Sequence, residues 1–246
     1  MESRRPQRRV QRVRHELCRR DVQVARIEPV GTAFLAITFT GEALADFVSL
    51  GFDDHVKFIF ENADGETLMR DYTPRHFDRE KRELTLEFAL HGDGDASNWA
   101  EAATRGQSAI IGGPRGSMVV PVDFEWHLLV GDSSALPAIH RRLEELPAEA
   151  RVIVVALATE PGERREMSTA AQLDLHWVAS NDALIDRLRE LPLPSGEGFA
   201  WGAGEAATMK RLRGVLVDEK RHPKDAMRVA AYWRQGAAGF HEELTG

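Results

Sequence analysis

Residues 126–139, WHLLVGDSSALPAI, mark the point at which the chain changes rhythm. Trp126–Val130 is an apolar run of strand length, Gly131 to Ser134 form a turn, and helical spacing starts at Ala135. A strand that feeds a glycine turn and then a helix opens a parallel α/β sheet. The alternation continues downstream, with strands expected at Val152–Ala158, Leu175–Val178, Phe199–Trp201 and Met227–Trp233, and helices at Ala135–Glu145, Asp182–Glu190 and Ala206–Val217. Ligands of such sheets sit beyond the carboxyl ends of the strands. Two of those ends are glycine-rich here, Gly131–Ala138 and Trp201–Ala207, and both run into helices whose first amides suit a phosphate. Gly202–Ala207 fits G-x-G-x-x-A but lacks the strand and acid that complete a dinucleotide fingerprint.

Upstream of Pro121 the pattern is different. Val22–Ile27, Ala33–Phe39, His55–Phe60, Leu84–Leu90 and Ser108–Ile111 are short, rich in β-branched and aromatic residues, and separated by Gly, Asp and Asn turns, which predicts a small antiparallel barrel. One helix, Asp95–Ala103 with Asp95 as its N-cap, interrupts the strands. A lone helix in a barrel closes one end or presents its N-terminus to a ligand. The boundary falls near Val122–Glu125, dividing the chain into an arm over 1–20, a barrel over 21–122 and an α/β domain over 123–246.

Composition narrows the chemistry. Cys18 is the single cysteine, which excludes a disulfide framework, a Cys-ligated iron–sulfur cluster and a C-x-x-C pair, so electron chemistry needs a bound cofactor. The nine histidines show no metal-ligand spacing, and no metal site is expected. The apolar runs are too short to cross a bilayer and the N-terminus has no apolar signal core, so a cytoplasmic chain without membrane insertion is expected. The net charge is −7, yet residues 1–20 hold eight arginines against Glu2 and Glu16. Such an arm suits nucleic acid or an anionic surface. Without interleaved aromatics, and on an acidic body, it reads instead as a solvated tail, with no nucleic-acid partner.

Arg70-Asp71-Tyr72-Thr73-Pro74-Arg75 carries a cation and an aromatic ring on one face of an extended stretch and a hydroxyl on the other. A flavin nucleotide needs such groups, for its pyrophosphate, its ring and the ring nitrogens. An ordinary amphipathic strand accounts for this segment equally well.

Six motifs in order remove that ambiguity: R-x-Y-T at Arg70–Thr73, H-G-x-G-x-A-S-x-W-A at His91–Ala100, G-P-R-G-S at Gly113–Ser117, G-D-x-x-A-L-P-A-I at Gly131–Ile139, W-x-A-G-E-A at Trp201–Ala206 and Y-W-R-x-G at Tyr232–Gly236. Together they resemble the siderophore-interacting protein family of the ferredoxin-reductase-like superfamily, over roughly Val22 to Gly239. The resemblance implies a Greek-key FAD-binding barrel followed by a parallel-sheet domain for NADPH or NADH, and reduction of ferric siderophores. It assigns FAD to Arg70, Asp71, Tyr72, Thr73, His91, Gly92, Ala96, Ser97, Trp99, Gly116 and Ser117, with Tyr72 against the flavin ring. It assigns the nicotinamide side to Asp132, Ser134, Ala135, Trp201, Gly204 and Glu205. No protein side chain is expected to carry the chemistry, because the flavin does. Three positions depart from the family pattern: Asp95 stands where Pro is usual, Ser133 and Ser134 replace Glu-Thr, and Ala231 replaces Gly.

Ferric catecholates are anionic, and an acidic protein must gather cations to receive one. Lys57, Arg115 and Arg234 lie in motifs that the family clusters near the flavin, and are expected to do so. A 2′-phosphate is expected, if anywhere, at Arg164 and Arg165. The chain is expected to act as a monomer. A flavin or ferredoxin-type reductase with another acceptor, and a siderophore-binding module without turnover, stay open as alternatives.

Overall fold

The computed structural model describes residues 9–90, 94–237 and 242–244. The first half comprises β1 (Gln11–Arg14), β2 (Arg19–Val30), β3 (Phe34–Thr40), β4 (Val56–Glu61), β5 (Thr67–Tyr72), β6 (His76–Asp78), β7 (Glu83–Ala89), α1 (Asp95–Ala102), β8 (Ser108–Gly112) and β9 (Gly116–Val119). Seven of these strands form one antiparallel sheet in the order β5-β4-β8-β2-β3-β7-β6. Alternation sets which side chains face inward. In β7, for example, Leu84, Leu86 and Phe88 are fully buried. They join Phe39, Phe58 and Trp99, and the Trp99 ring meets Phe58 edge-on at 4.8 Å. Trp99 thus pins α1 onto the barrel.

The second half comprises β10 (Trp126–Gly131), α2 (Leu136–Glu145), β11 (Arg151–Leu157), β12 (Gln172–Val178), α3 (Asn181–Glu190), β13 (Gly198–Glu205), α4 (Ala206–Gly214), β14 (Met227–Trp233) and β15 (Glu242–Glu243). The sheet order is β12-β11-β10-β13-β14-β15, parallel except for β15. β10 is buried along its whole length, and β11 from Val152 onward, which is why both read as unbroken apolar runs. No helix among the described residues is long and apolar enough to cross a membrane.

The expectation of a solvated arm over 1–20 is corrected from residue 9 onward. β1 pairs with β9, and β2 begins at Arg19. The arginines find acidic partners in the body: Arg9 binds Asp123 and Glu197 and lies 4.2 Å over the Phe124 ring, and Arg12 binds Glu243. Arg20 is buried and donates to the Gly113 carbonyl at 3.0 Å. The basic segment is a strap across both halves. A second correction concerns α1: its N-cap is Gly94, which offers no side-chain cap, and Asp95 is the first helical residue.

The two halves share a core. One apolar cluster contains Phe34, Phe52, Met118 and Val120 from the barrel side together with Leu129, Leu136, Phe199 and Trp201 from the parallel sheet. Into this contact is set the buried carboxylate of Asp53. It accepts from Trp201 Nε1 at 2.8 Å and lies 2.8 Å from Arg228 Nε. α2 adds Arg141, which donates to the Ser49 and Pro74 carbonyls at 3.0 Å each, and Arg142, which donates to the Pro121 carbonyl at 2.6 Å. Glu87 on β7 holds Arg75 at 3.1 Å and Arg165 at 2.6 Å, while Arg75 also reaches Glu144 on α2 at 2.5 Å.

Two outcomes follow for stability. Asp53→Asn leaves an acceptor for Trp201 but strips the buried Arg228 of its counter-ion, and is expected to cost roughly 3–5 kcal/mol in a urea titration. Glu66→Gln on the exposed β4–β5 turn should stay within about 0.5 kcal/mol. Burial, with nearby arginines, also holds His127 and His140 neutral, lowering them to about 4 and about 3. The unfolded chain titrates near ~6.5, so it binds the extra protons below that pH. Stability is therefore full above ~6.5 and lost as pH falls toward about 4 for His127 and about 3 for His140, by up to ~1.4 kcal/mol per pH unit for each histidine. Urea midpoints between about pH 7 and about pH 5 should fall, and His140→Gln should flatten the slope.

Candidate functional site

β5 delivers the first group of side chains. In register with β4, Tyr72 faces Val56, Asp71 faces Lys57 and Arg70 faces Phe58. The half-buried Tyr72 ring lies 4.4 Å from Phe88 and 5.7 Å from Phe58, and burial pushes its hydroxyl well above the ordinary range. It is a fixed aromatic wall at the edge of the barrel core. Thr73, the next residue, is buried. The guanidinium of Arg70 reaches its neighbour's carbonyl, Met69 O, at 3.0 Å and the Asp95 carboxylate at 3.4 Å. That second contact places Arg70 at the start of α1.

Among the described residues the start of α1 has donors in excess. Gly94 supplies no side-chain acceptor to the first amides, and the hydroxyl of Ser97, itself 2% exposed, has no partner among the described residues. Buried polar groups are nearly always paired. An orphaned hydroxyl, uncapped amides and a guanidinium in one place form a receptor for an anion, and together with the Tyr72 wall the residues present fit a flavin nucleotide. Ala96 lies half-buried in this first turn. His91 and Gly92 lie outside the described residues.

Three residues of the barrel set are committed elsewhere. Trp99 belongs to the barrel core. Gly116 lies where a Cβ would come 2.7 Å from the Val13 carbonyl, so it is required by the approach of β1. The Ser117 hydroxyl donates to Asp54 at 2.5 Å, accepts from Leu50 N at 3.1 Å and meets His15 Nε2 at 2.7 Å. Burial raises the pKa of Asp54 against the bonds from Ser117, Gly51 and Ser49.

On the parallel sheet, Asp132 is the hub. Its carboxylate accepts from Ser134 N at 3.0 Å, Ser134 Oγ at 2.5 Å, Glu205 N at 2.9 Å and Trp233 Nε1 at 2.9 Å. Burial raises its pKa, opposed by these bonds. The carboxylate ties together the ends of β10, β13 and β14. A Cβ on Gly131 would lie 2.3 Å from Ala135 Cβ, and one on Gly204, at φ +152, would lie 2.5 Å from Asp132 Oδ2, so both positions require glycine. Ala135 is fully buried and Glu205 caps α4 through Thr208 N at 3.0 Å. Trp201 is wholly buried and engaged by Asp53, so it supports the strand ends from behind. The strand-end cradle fits a nicotinamide dinucleotide at the place where parallel sheets bind ligands.

Of the three expected cations, Lys57 Nζ pairs with Asp71 at 2.8 Å, and its strand neighbour Gly112 leads into the turn that carries the exposed Arg115. Arg234 follows β14 and lies 3.6 Å from Glu242. The neighbouring Tyr232 feels the carboxylates of Asp53, Asp54 and Asp71, which brings the end of β14 toward the end of β5. Arg165 is bound to Glu87 and lies 4.8 Å over Phe34, and so does not serve as a phosphate receptor; Arg164 is exposed. Asp53, Arg228 and the 42% exposed Trp233 were not singled out as site residues from the sequence. The one signal for the first was an acidic pair, Asp53-Asp54, between Phe52 and an apolar strand.

Comparisons with known proteins agree with this geometry. The model for "Siderophore-interacting FAD-binding domain" matches residues 23–68 and 62–118, and that for "Siderophore-interacting protein" matches residues 124–236. The NADPH-dependent ferric-chelate reductase of Escherichia coli is 35% identical over 245 residues, covering 91% of this chain and 96% of the relative. Ferric vibriobactin reductase ViuB of Vibrio cholerae is 28% identical, covering 87% and 89%. Among solved structures, a siderophore utilization protein from T. fusca superposes with a TM-score of 0.88 at 28% identity, over 94% of this chain and 98% of that one. With the barrel, the strand-end cradle and near full-length matches in agreement, the chain belongs to the siderophore-interacting protein family.

Proposed function

We propose that this chain is an FAD-dependent oxidoreductase that passes electrons from NADPH or NADH to ferric iron held by a siderophore, releasing Fe(II). The observation that carries the reading is the unsatisfied donor set at the start of α1 beside Arg70 and Tyr72, together with the family's ferric-chelate reductases among its relatives. FAD supplies what the polypeptide lacks, a centre that accepts a hydride and returns electrons one at a time.

Arg70, the α1 amides and Ser97 hold the diphosphate, and Tyr72 and Thr73 orient the ring system. The Asp132 hub keeps Ser134, Gly204 and Glu205 in register to receive the nicotinamide half. Lys57, Arg115 and Arg234 receive the anionic chelate, of the catecholate type. Two of them carry an acidic partner in the free protein, Asp71 and Glu242, which lowers the local positive potential until an anion displaces it. Hard oxygen ligands favour Fe(III), so reduction itself loosens the chelate. The chain works as a cytoplasmic monomer in this reading. Its exposed large apolar side chains among the described residues, such as Leu17, Leu50 and Met69, are few, and the cytoplasm supplies reduced nicotinamide.

An anaerobic visible spectrum of the FAD-loaded protein tests the proposal. Reduced nicotinamide should bleach the flavin and a ferric triscatecholate should restore it. Bleaching that the chelate leaves in place would mean another acceptor, and failure to bind flavin would overturn the reading. In steady state with saturating FAD, Lys57→Ala should raise the KM for the chelate and Asp71→Asn should lower it, each by about two- to fivefold. Equal directions for the two variants would contradict the receiving role of Lys57.

A further inference from the structure

We infer that Asp95 is an internal competitor of the FAD diphosphate for Arg70, so that this chain holds its flavin less firmly than its donor set alone allows. The inference rests on the proposed placement of the diphosphate at the start of α1. Asp95 is the first residue of an eight-residue helix, where a carboxylate ordinarily turns back to the free amides. Among the described residues its side-chain hydrogen bond goes to Arg70 instead. Its carboxylate, 44% exposed, reaches sideways to the Arg70 guanidinium at 3.4 Å. Meanwhile the buried Ser97 hydroxyl, two residues on, stays without a partner among the described residues.

The site therefore divides its charges in an unusual way. Among the described residues the donors that belong to the helix are unfilled, while the cation beside them already has an anion, and that anion is part-exposed. A diphosphate that takes the amides and Ser97 must draw Arg70 from Asp95 or share it, and in either case it lies beside a like charge. No other carboxylate is within salt-bridge distance of Arg70 among the described residues. The effect falls on the phosphate end of the cofactor. Tyr72, the wall for the ring system, packs instead against Phe58 and Phe88.

Asp95→Asn keeps the shape of the side chain and removes its charge. Fluorescence titrations of the full chain with FAD and with riboflavin, which has no phosphate, separate the possibilities. Asp95→Asn is expected to tighten FAD about three- to tenfold, the range set by a partly exposed ion pair and one removed like charge. Riboflavin affinity should not move, and the gain should shrink in an Arg70→Gln background, where only relief of the like charge is left. If Arg70→Gln weakens FAD but Asp95→Asn leaves it unchanged or weaker, the competition is wrong and the placement of the diphosphate stands. Equal tightening of FAD and riboflavin would also overturn the competition. If Arg70→Gln leaves FAD affinity unchanged, the placement at Arg70 fails and the inference fails with it.

Discussion

The buried carboxylate of Asp53 constrains the molecule more than any other group. A carboxylate removed from water is costly unless it is paired and hydrogen-bonded, and both partners of Asp53, Trp201 and Arg228, belong to the other half of the chain. The barrel loop that carries Asp53 can be satisfied only when β13 and β14 lie against it. Around this contact the apolar cluster runs without a break from Phe34 and Phe52 to Leu129 and Trp201. The result is one body with two kinds of sheet.

The same two strands carry groups proposed to receive the nicotinamide half. β13 carries Trp201 and, at its carboxyl end, Gly204 and Glu205, and β14 carries Arg228 near its start and Trp233 at its end. Fixing each strand against the barrel sets where its carboxyl end lies, and Asp132 then locks those ends to the first turn of the parallel sheet. Electron donor and acceptor sites on separate sheets are useful only if their separation is fixed. The arginines of α2 and the Arg75–Glu87–Arg165 group add to that fixation.

Much of this was legible in the chain. Period-two alternation marks β7 and its neighbours, and continuous apolar runs mark β10 and β11, because the first kind of strand is covered on one face and the second on both. The short strands β6 and β9 carry too few residues for any pattern. β1 was hidden by its arginines, which read as a solvated run until Asp123, Glu197 and Glu243 come from distant parts of the sequence to meet them. Site residues divided along the same line. Arg70 and Tyr72 sit in one motif and Ser97 in another, joined by the Arg70–Asp95 contact, whereas Trp201 and Trp99 are buried and Gly116 lies close against β1. Asp53 was missed because its partners are far away in sequence.

If the barrel and the parallel sheet share one core and one buried ion pair, they must unfold together. Differential scanning calorimetry of the full chain tests this directly: a single transition, with calorimetric and van't Hoff enthalpies equal, is the expected result. Two resolved transitions, or a calorimetric enthalpy well above the van't Hoff value, would show two independent domains and contradict the view that the interface holds the two sites in one frame.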